Sequence, residues 1–116
     1  MPYWDNLDTI GLEPIIVLAR IRLLTAEEGG RNSPITSECK FRPNHNFGEP
    51  DNRVFFIGQV ELPENETLFL GEPKELLITF FNVRGLIENL TVGRKWRIQA
   101  GSELWGIGEV LKVVGS

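Results

Sequence analysis

The sequence contains one histidine and one cysteine, so any catalytic or metal site would have to be built from very few side chains. His45 could act as a general base only if a nucleophile, such as Ser33 or Ser37, lay beside it together with an acid that orients its ring. The sequence does not bring these groups together, and we favour a loop histidine that donates to a backbone carbonyl. We therefore predict no enzyme activity and assign no catalytic residue.

The other reactive groups also lack the neighbours that their chemistry requires. Cys39 lies between Glu38 and Lys40, and one lysine gives little stabilisation to a thiolate. Glu27 and Glu28 are adjacent, so on a strand their carboxyl groups would point to opposite faces, which favours an exposed pair in a turn. One cysteine cannot form an internal disulfide, and one histidine cannot build a histidine-rich site. We predict no metal and no cofactor.

Basic residues are concentrated in one part of a chain that is acidic overall. The net charge is -4, from 12 basic and 16 acidic residues, which argues against a nucleic-acid footprint spread over the whole surface. Between residues 20 and 42, basic side chains outnumber acidic ones by five to three. The five are Arg20, Arg22, Arg31, Lys40 and Arg42. For Arg20 and Arg22 we favour the solvated face of a strand.

Strands are predicted for most of the chain, because apolar and polar residues alternate and Gly, Pro, Asn and Asp interrupt them at short intervals. The predicted strands cover residues 15–24, 40–47, 53–62, 74–83, 96–99 and 104–114. The strand at 74–83 is apolar on both faces, which is typical of a central strand. Only residues 86–90 suggest a helix, and that segment is too short to form one alone.

Turns and glycines indicate how the strands are connected. Pro63-Glu64-Asn65 predicts a turn, and Ala100-Gly101-Ser102 predicts the hairpin connection between the last two strands. Gly106 and Gly108 share one face of the last strand, where glycine often marks a close approach or a barrel corner. The predicted fold class is therefore all-β, a small antiparallel β-barrel.

The three tryptophans are expected to pack in the core or at the ends of this barrel. They are Trp4, Trp96 and Trp105. Trp105 lies opposite in phase to Gly106, so an exposed contact is the alternative for this residue.

A chain of 116 residues fits one domain. We expect an N-terminal segment at 1–14, which contains Asp5, Asp8 and Glu13 but no base, followed by the barrel at 15–116. No apolar run approaches the roughly 20 residues of a membrane helix, and the first residues lack the basic and apolar regions of a secretory signal. We therefore expect a cytoplasmic protein without membrane contact.

Several motifs resemble the third, C-terminal domain of translation elongation factor Tu. Residues 23–34 are similar to that domain's first strand and following loop, and Phe41-Arg42-Pro43 resembles its aromatic-Arg-Pro motif. Residues 60–63 resemble the end of its next strand, and residues 96–108 resemble its closing hairpin. The resemblance covers about residues 15–114 and implies an antiparallel β-barrel of about six strands.

The resemblance also indicates what this chain lacks. In elongation factor Tu the GTP chemistry belongs to a separate domain, and this sequence has no Gly-x-x-x-x-Gly-Lys-Ser/Thr phosphate loop. Gly29-Gly30-Arg31 has neither the lysine nor a following helix, and we interpret it as a turn that ends a strand. We therefore expect no GTP binding.

In that family the domain contacts the T stem of aminoacyl-tRNA, the nucleotide domain and the exchange factor. When the flanking motifs are aligned, Asn44 stands where the family has a glutamine that faces the T stem. Ile57 stands in place of a threonine, and Ala100 stands in place of a glutamate of the closing hairpin. Ile57 and Ala100 offer no polar side chain to a phosphate or a ribose hydroxyl. The resemblance therefore favours a protein partner over tRNA.

The loop-rich stretch 27–52 is the predicted recognition region, because it interrupts the alternation most and because loops on a rigid scaffold often bind. Its candidate binding residues, for a protein or RNA partner, are Arg31, Arg42, Asn44 and His45. The alternative is that both arginines pair with glutamates of the same stretch. We expect a non-catalytic, stand-alone elongation factor Tu domain 3-like barrel that binds protein and mimics or regulates the translation factor. The alternative function is a tRNA- or ribosome-associated accessory protein.

Overall fold

Residues 13–115 are described by a computed structural model, and most of their regular structure is β-strand. The strands are β1 (Ile15–Leu23), β2 (Ile35–Thr36), β3 (Asn44–Asn46), β4 (Phe56–Glu61), β5 (Thr67–Leu68), β6 (Lys74–Phe80), β7 (Lys95–Ala100) and β8 (Glu103–Gly115). Two short 3-10 helices, Ala26–Glu28 and Ile87–Asn89, lie in the connections. A helix long and apolar enough to cross a membrane is absent from these residues.

Six of the strands form one closed antiparallel barrel, in the order β1-β6-β4-β3-β7-β8. β8 pairs back onto β1, so each barrel strand has a hydrogen-bonded neighbour on both sides and no open edge is left. β2 and β5 form a separate two-stranded sheet. The predicted all-β fold, with an antiparallel barrel of six strands, is confirmed.

Alternation along the strands decides which side chains fill the barrel. On β1, Val17, Ala19, Ile21 and Leu23 share one face of the strand and are all fully buried. On β6, alternate residues point inward, while Leu77 keeps 41% of its surface exposed. β6 lies between β1 and β4, as a central strand does. Its outer face is nevertheless exposed, because the side chains of a barrel are buried only on the face that points inward.

Strand boundaries are where the sequence prediction and the structure differ. The strand predicted at 40–47 is regular only over Asn44–Asn46, because Pro43 lacks a backbone donor, although Phe41 makes an isolated bridge to Val60. The strand predicted at 53–62 is shorter and covers Phe56–Glu61. The short sheet of β2 and β5 was missed, since two residues are too few to show alternation.

The predicted close approach at the two glycines of β8 is confirmed. A Cβ on Gly108 would overlap the indole ring of Trp96 on the neighbouring strand β7. A Cβ on Gly106 would lie 2.7 Å from the carbonyl oxygen of Arg22 on β1. Only glycine lets β8 pack this closely against both of its neighbours. The predicted turn at Pro63-Glu64-Asn65 and the predicted hairpin after β7 are also present.

Candidate functional site

Three of the four candidate binding residues line one groove on the outside of the barrel. Arg31, Arg42 and Asn44 border a depression with a volume of about 290 Å³. Lys40 and Trp105 line the same depression. We call this depression, defined by these five residues, the basic groove. It joins the predicted recognition stretch 27–52 to the closing hairpin of the barrel.

A tight turn after β1 brings Arg31 to the groove. The backbone N–H of Leu24 donates to the carbonyl of Trp105 at 2.8 Å, which fixes the start of the turn against β8. The N–H of Gly30 then donates back to the carbonyl of Thr25 at 2.9 Å, and Gly29 adopts the left-handed φ of 91° that reverses the chain. The prediction that the glycine pair forms a strand-ending turn is confirmed.

Within this turn, Glu28 is held away from the groove. Its carboxylate accepts from the backbone N–H of Thr25 at 2.9 Å, and the Thr25 hydroxyl accepts from the Glu28 N–H in return. The guanidinium of Arg22 donates to the same carboxylate at 2.8 Å. The Thr25 hydrogen bond and then Arg22 lower the pKa of Glu28 below its ordinary value, so the carboxylate stays ionised and engaged.

The guanidinium of Arg31 lies over the ring of Trp105, with 4.5 Å between its central carbon and the ring centroid. Its Nε donates to the carbonyl of Ser33 at 3.0 Å, which fixes the guanidinium in place. Phe41 stacks on the same indole, with ring centroids 6.2 Å apart. This arrangement fixes one positive charge on an aromatic support, as in a cation-π contact.

The guanidinium of Arg42 is anchored by a side chain of β4. Its Nε donates to the side-chain oxygen of Gln59 at 2.7 Å, and Gln59 in turn donates to Glu61 at 2.9 Å. The alternative, in which Arg31 and Arg42 pair with glutamates of the loop, is not what the structure shows. Within residues 13–115, neither arginine forms an ion pair, and Lys40 forms none either.

Asn44 connects the groove to an apolar surface. On β3 it lies opposite Ile57 of β4, and Ile57 accepts a backbone hydrogen bond from Phe81 at 3.1 Å. Val54, Ile57 and Phe81 are 62%, 55% and 60% exposed. We call these three residues the apolar patch. Ala100 also lines the groove, so Asn44, Ile57 and Ala100, the positions matched to tRNA contacts, lie near one another, and two of them are apolar.

His45 does not join the other candidates. It is fully buried inside the barrel, and its Nε2 is 2.9 Å from the carbonyl oxygen of Gly58. The indole N–H of Trp96 donates to His45 Nδ1 at 3.0 Å, so Nδ1 is the acceptor and Nε2 carries the proton. Burial lowers the pKa of His45 to about 4, which keeps the ring neutral at neutral pH.

The prediction for His45 is thus partly confirmed and partly corrected. Its hydrogen bond to a backbone carbonyl is present, but the residue lies on β3 and points inward rather than belonging to a loop. Both ring nitrogens are already bonded, and neither Ser33 nor Ser37 is among its partners. His45 therefore positions strands and cannot touch a partner at the barrel surface.

Lys40 and Trp105 line the groove but were not predicted as binding residues, although the sequence contains an indication for each. Lys40 belongs to the basic stretch, and Trp105 lies out of phase with the buried Gly106.

Cys39, the single cysteine, is an exposed free thiol that also lines the groove. No group of three or more His, Cys, Asp or Glu residues that could hold a metal ion occurs within residues 13–115. Trp4, Asp5 and Asp8 lie outside the described residues.

No protein-family model matches the sequence. The resemblance to the third domain of elongation factor Tu therefore stays a prediction made from its motifs. The fold itself is a closed barrel of six antiparallel strands.

Proposed function

We propose that this protein is a non-catalytic β-barrel module that binds a protein partner through the basic groove. The observation that supports this most directly is the meeting of Arg31, Lys40 and Arg42 beside a partly buried tryptophan. No carboxylate of the described chain neutralises these cations. Arginines and aromatic side chains are enriched in protein interfaces, so this combination of residues is suited to an external protein partner.

A binding role fits the chemistry of the groove better than a catalytic role. Nucleophilic catalysis needs a nucleophile with a base within hydrogen-bond reach. Cys39 is the one thiol at the groove, but the only histidine of the chain lies inside the barrel with both nitrogens bonded. The remaining groove residues are cations, amides and apolar side chains, which orient a partner rather than transform it.

The resemblance to elongation factor Tu suggests which process the partner belongs to. A stand-alone barrel of that kind would compete for, or regulate, partners of the translation factor. A second candidate function is a tRNA- or ribosome-associated accessory protein, because the same three cations and Asn44 could contact phosphates. The apolar side chains of Ile57 and Ala100 beside Asn44 favour the protein partner.

The test is affinity capture from source-cell extract, with and without nuclease, using the wild-type chain and the double variant Arg31→Ala/Arg42→Ala. We expect a protein partner that survives nuclease treatment and is lost with the double variant. Arg53→Ala/Arg84→Ala is the matched control, because it removes two exposed arginines outside the groove. The control should unfold within about 0.5 kcal/mol of the wild type, and the groove variant should stay folded with a loss of about 1 kcal/mol.

Two results would contradict the proposal. Loss of every partner after nuclease treatment would favour the RNA-associated function. Unchanged capture by the folded groove variant would show that the groove is not the binding site, and the apolar patch would become the next surface to test.

A further inference from the structure

We propose that the basic groove recognises an acidic peptide segment, whose carboxylates pair with Arg31, Lys40 and Arg42. This inference rests on the proposed function, because it names the chemistry of a partner at the same groove. Three observations support it. The groove arginines, unlike Arg20 and Arg22, have no carboxylate partner within residues 13–115. They keep N–H groups that can donate to a partner, and one of them is held on an aromatic ring.

The two arginines of β1 differ from the groove arginines in the charge of their partners. On the outer face of β1, Arg20 approaches Glu109 at 3.3 Å and Glu75 at 3.8 Å. Arg22 pairs with Glu28 at 2.8 Å. These β1 arginines are compensated by the protein's own carboxylates, as expected for a solvated strand face.

The groove arginines are held instead by neutral acceptors. Arg31 donates from Nε to a backbone carbonyl, and Arg42 donates from Nε to the amide oxygen of Gln59. Each side chain is therefore anchored without losing its net charge. One terminal nitrogen of Arg31 also donates to the Ser33 hydroxyl at 3.4 Å. A guanidinium has five N–H donors in a fixed fork, so both arginines keep terminal N–H groups that are able to bind a carboxylate.

The anchoring also lowers the cost of binding. Arg31 is fixed between the Trp105 ring and the Ser33 carbonyl before any partner arrives. A free arginine loses rotamer freedom when it is immobilised, and a preorganised one has less to lose. In a chain of net charge -4, uncompensated cations that meet in one small groove attract a local run of negative charge.

The same groove is poorly suited to nucleic acid. Sequence-tolerant binding of single strands combines a basic track with aromatic faces on which bases stack. Here Arg31 lies over the Trp105 ring, and Phe41 is only 4% exposed. The depression of about 290 Å³ has room for a few side chains and does not form a track for a backbone. These features favour a peptide over RNA.

The probe is the synthetic peptide acetyl-Gly-Glu-Glu-Leu-Asp-Glu-Glu-Gly-amide, titrated into isotope-labelled protein and followed by NMR. A peptide with Gln and Asn in place of Glu and Asp is the neutral control, and a decauridylate is the nucleic-acid probe. We expect the acidic peptide to shift the resonances of Arg31, Lys40 and the Trp105 indole N–H. Binding should weaken as salt rises from about 50 mM to about 500 mM.

Variants and the single cysteine give two further readouts. The dissociation constant for the acidic peptide should rise about tenfold or more in Arg31→Ala/Arg42→Ala and stay within about twofold in Arg53→Ala/Arg84→Ala. Because Cys39 is the only cysteine and lines the groove, bound acidic peptide should slow its alkylation by iodoacetamide. The neutral peptide should leave the alkylation rate unchanged.

Three outcomes would overturn the inference: no shift with the acidic peptide at millimolar concentration, equal shifts with the neutral peptide, or tighter binding of the decauridylate at the same residues. The proposed function has a separate readout. If a nuclease-resistant protein is still captured through Arg31 and Arg42 while acidic peptides fail, the groove binds protein by another chemistry and only this inference is wrong.

Discussion

Two tryptophans of the same hairpin show how differently the inside and the outside of this barrel use an aromatic ring. Trp96 on β7 is 3% exposed, donates its N–H to His45 and lies against Gly108. Trp105 on β8 is only partly buried, and the guanidinium of Arg31 lies over its ring. One ring completes the core, and the other supports a charge at the surface.

The two regions differ in whether their polar and charged groups already have partners within the protein. Inside the barrel, every buried polar side-chain atom of the described residues has a hydrogen-bond partner, and the one titratable ring is neutral. In the groove, Arg31, Lys40 and Arg42 keep their charge uncompensated within residues 13–115. Changes to the interior should therefore cost more stability than changes to the groove, and changes to the groove should mainly alter binding.

The largest expected effect compares the two tryptophans directly. Trp96→Ala should lower the free energy of unfolding by about 3 to 5 kcal/mol, the usual cost of emptying a buried aromatic site. Trp105→Ala should cost roughly 1 to 2 kcal/mol, because part of its ring is already exposed. Urea unfolding at neutral pH measures both.

Equal losses would show that Trp105 belongs to the core as much as Trp96 does. If Trp96→Ala does not fold, Trp96→Phe keeps a ring but leaves His45 Nδ1 without its donor. This variant should still cost about 1 to 3 kcal/mol.

Acid should destabilise the interior through His45. Its folded pKa is about 4, below the ordinary 6.5, so between these values the unfolded chain binds a proton that the folded chain does not. Stability is therefore complete above pH 6.5 and falls as the pH drops, by roughly 2 kcal/mol at pH 5 and roughly 3 kcal/mol at pH 4. Urea unfolding between pH 7 and pH 5 measures the slope.

The control for this pH effect is His45→Gln, which cannot titrate. In this variant the fall in stability between pH 7 and pH 5 should shrink by the His45 contribution. The same slope in both proteins would show that other groups cause it.

Gly108→Val should cost about 2 kcal/mol, because the new side chain would overlap the Trp96 ring and overpack the barrel. The matched control is Gly115→Val on the same strand, where a Cβ would meet no atom within 4 Å. Thermal or urea unfolding compares the two. An unchanged midpoint for Gly108→Val would mean that the indole can move aside.

The smallest expected effect on stability is that of Arg31→Ala. Removal of this partly exposed cation-π contact should lower the free energy of unfolding by about 0.5 to 1 kcal/mol. The NMR resonance of the Trp105 indole N–H should nevertheless move, because the ring loses the charge above it. A loss as large as that of Trp96→Ala would assign the groove arginine to the core and remove the distinction between the two regions.

The candidate site was only partly predictable. Arg31, Arg42 and Asn44 were selected from the sequence and do line one groove, although Trp105 comes from a distant strand. His45 was predicted with them because it is the only histidine and lies in the same loop-rich stretch 27–52. Successive residues on a strand point to opposite faces, so Asn44 faces the groove while its neighbour enters the core.

The sequence by itself determined the class of fold. The alternation that buries Val17, Ala19, Ile21 and Leu23 is a local property of an extended backbone, and the glycines and prolines that end each strand act within a few residues. Such signals can be recognised without knowing which strands become neighbours. They were sufficient to predict an antiparallel barrel.

The tertiary structure alone decided which charges are compensated. Arg20 and Arg31 cannot be distinguished by residue type, yet Arg20 meets Glu75 and Glu109 on the neighbouring strands β6 and β8, while Arg31 meets the ring of Trp105. Electrostatic energy depends on the distance between groups, and pairing strands far apart in sequence sets that distance. The pairing of the strands therefore left the positive charge of the groove uncompensated within residues 13–115.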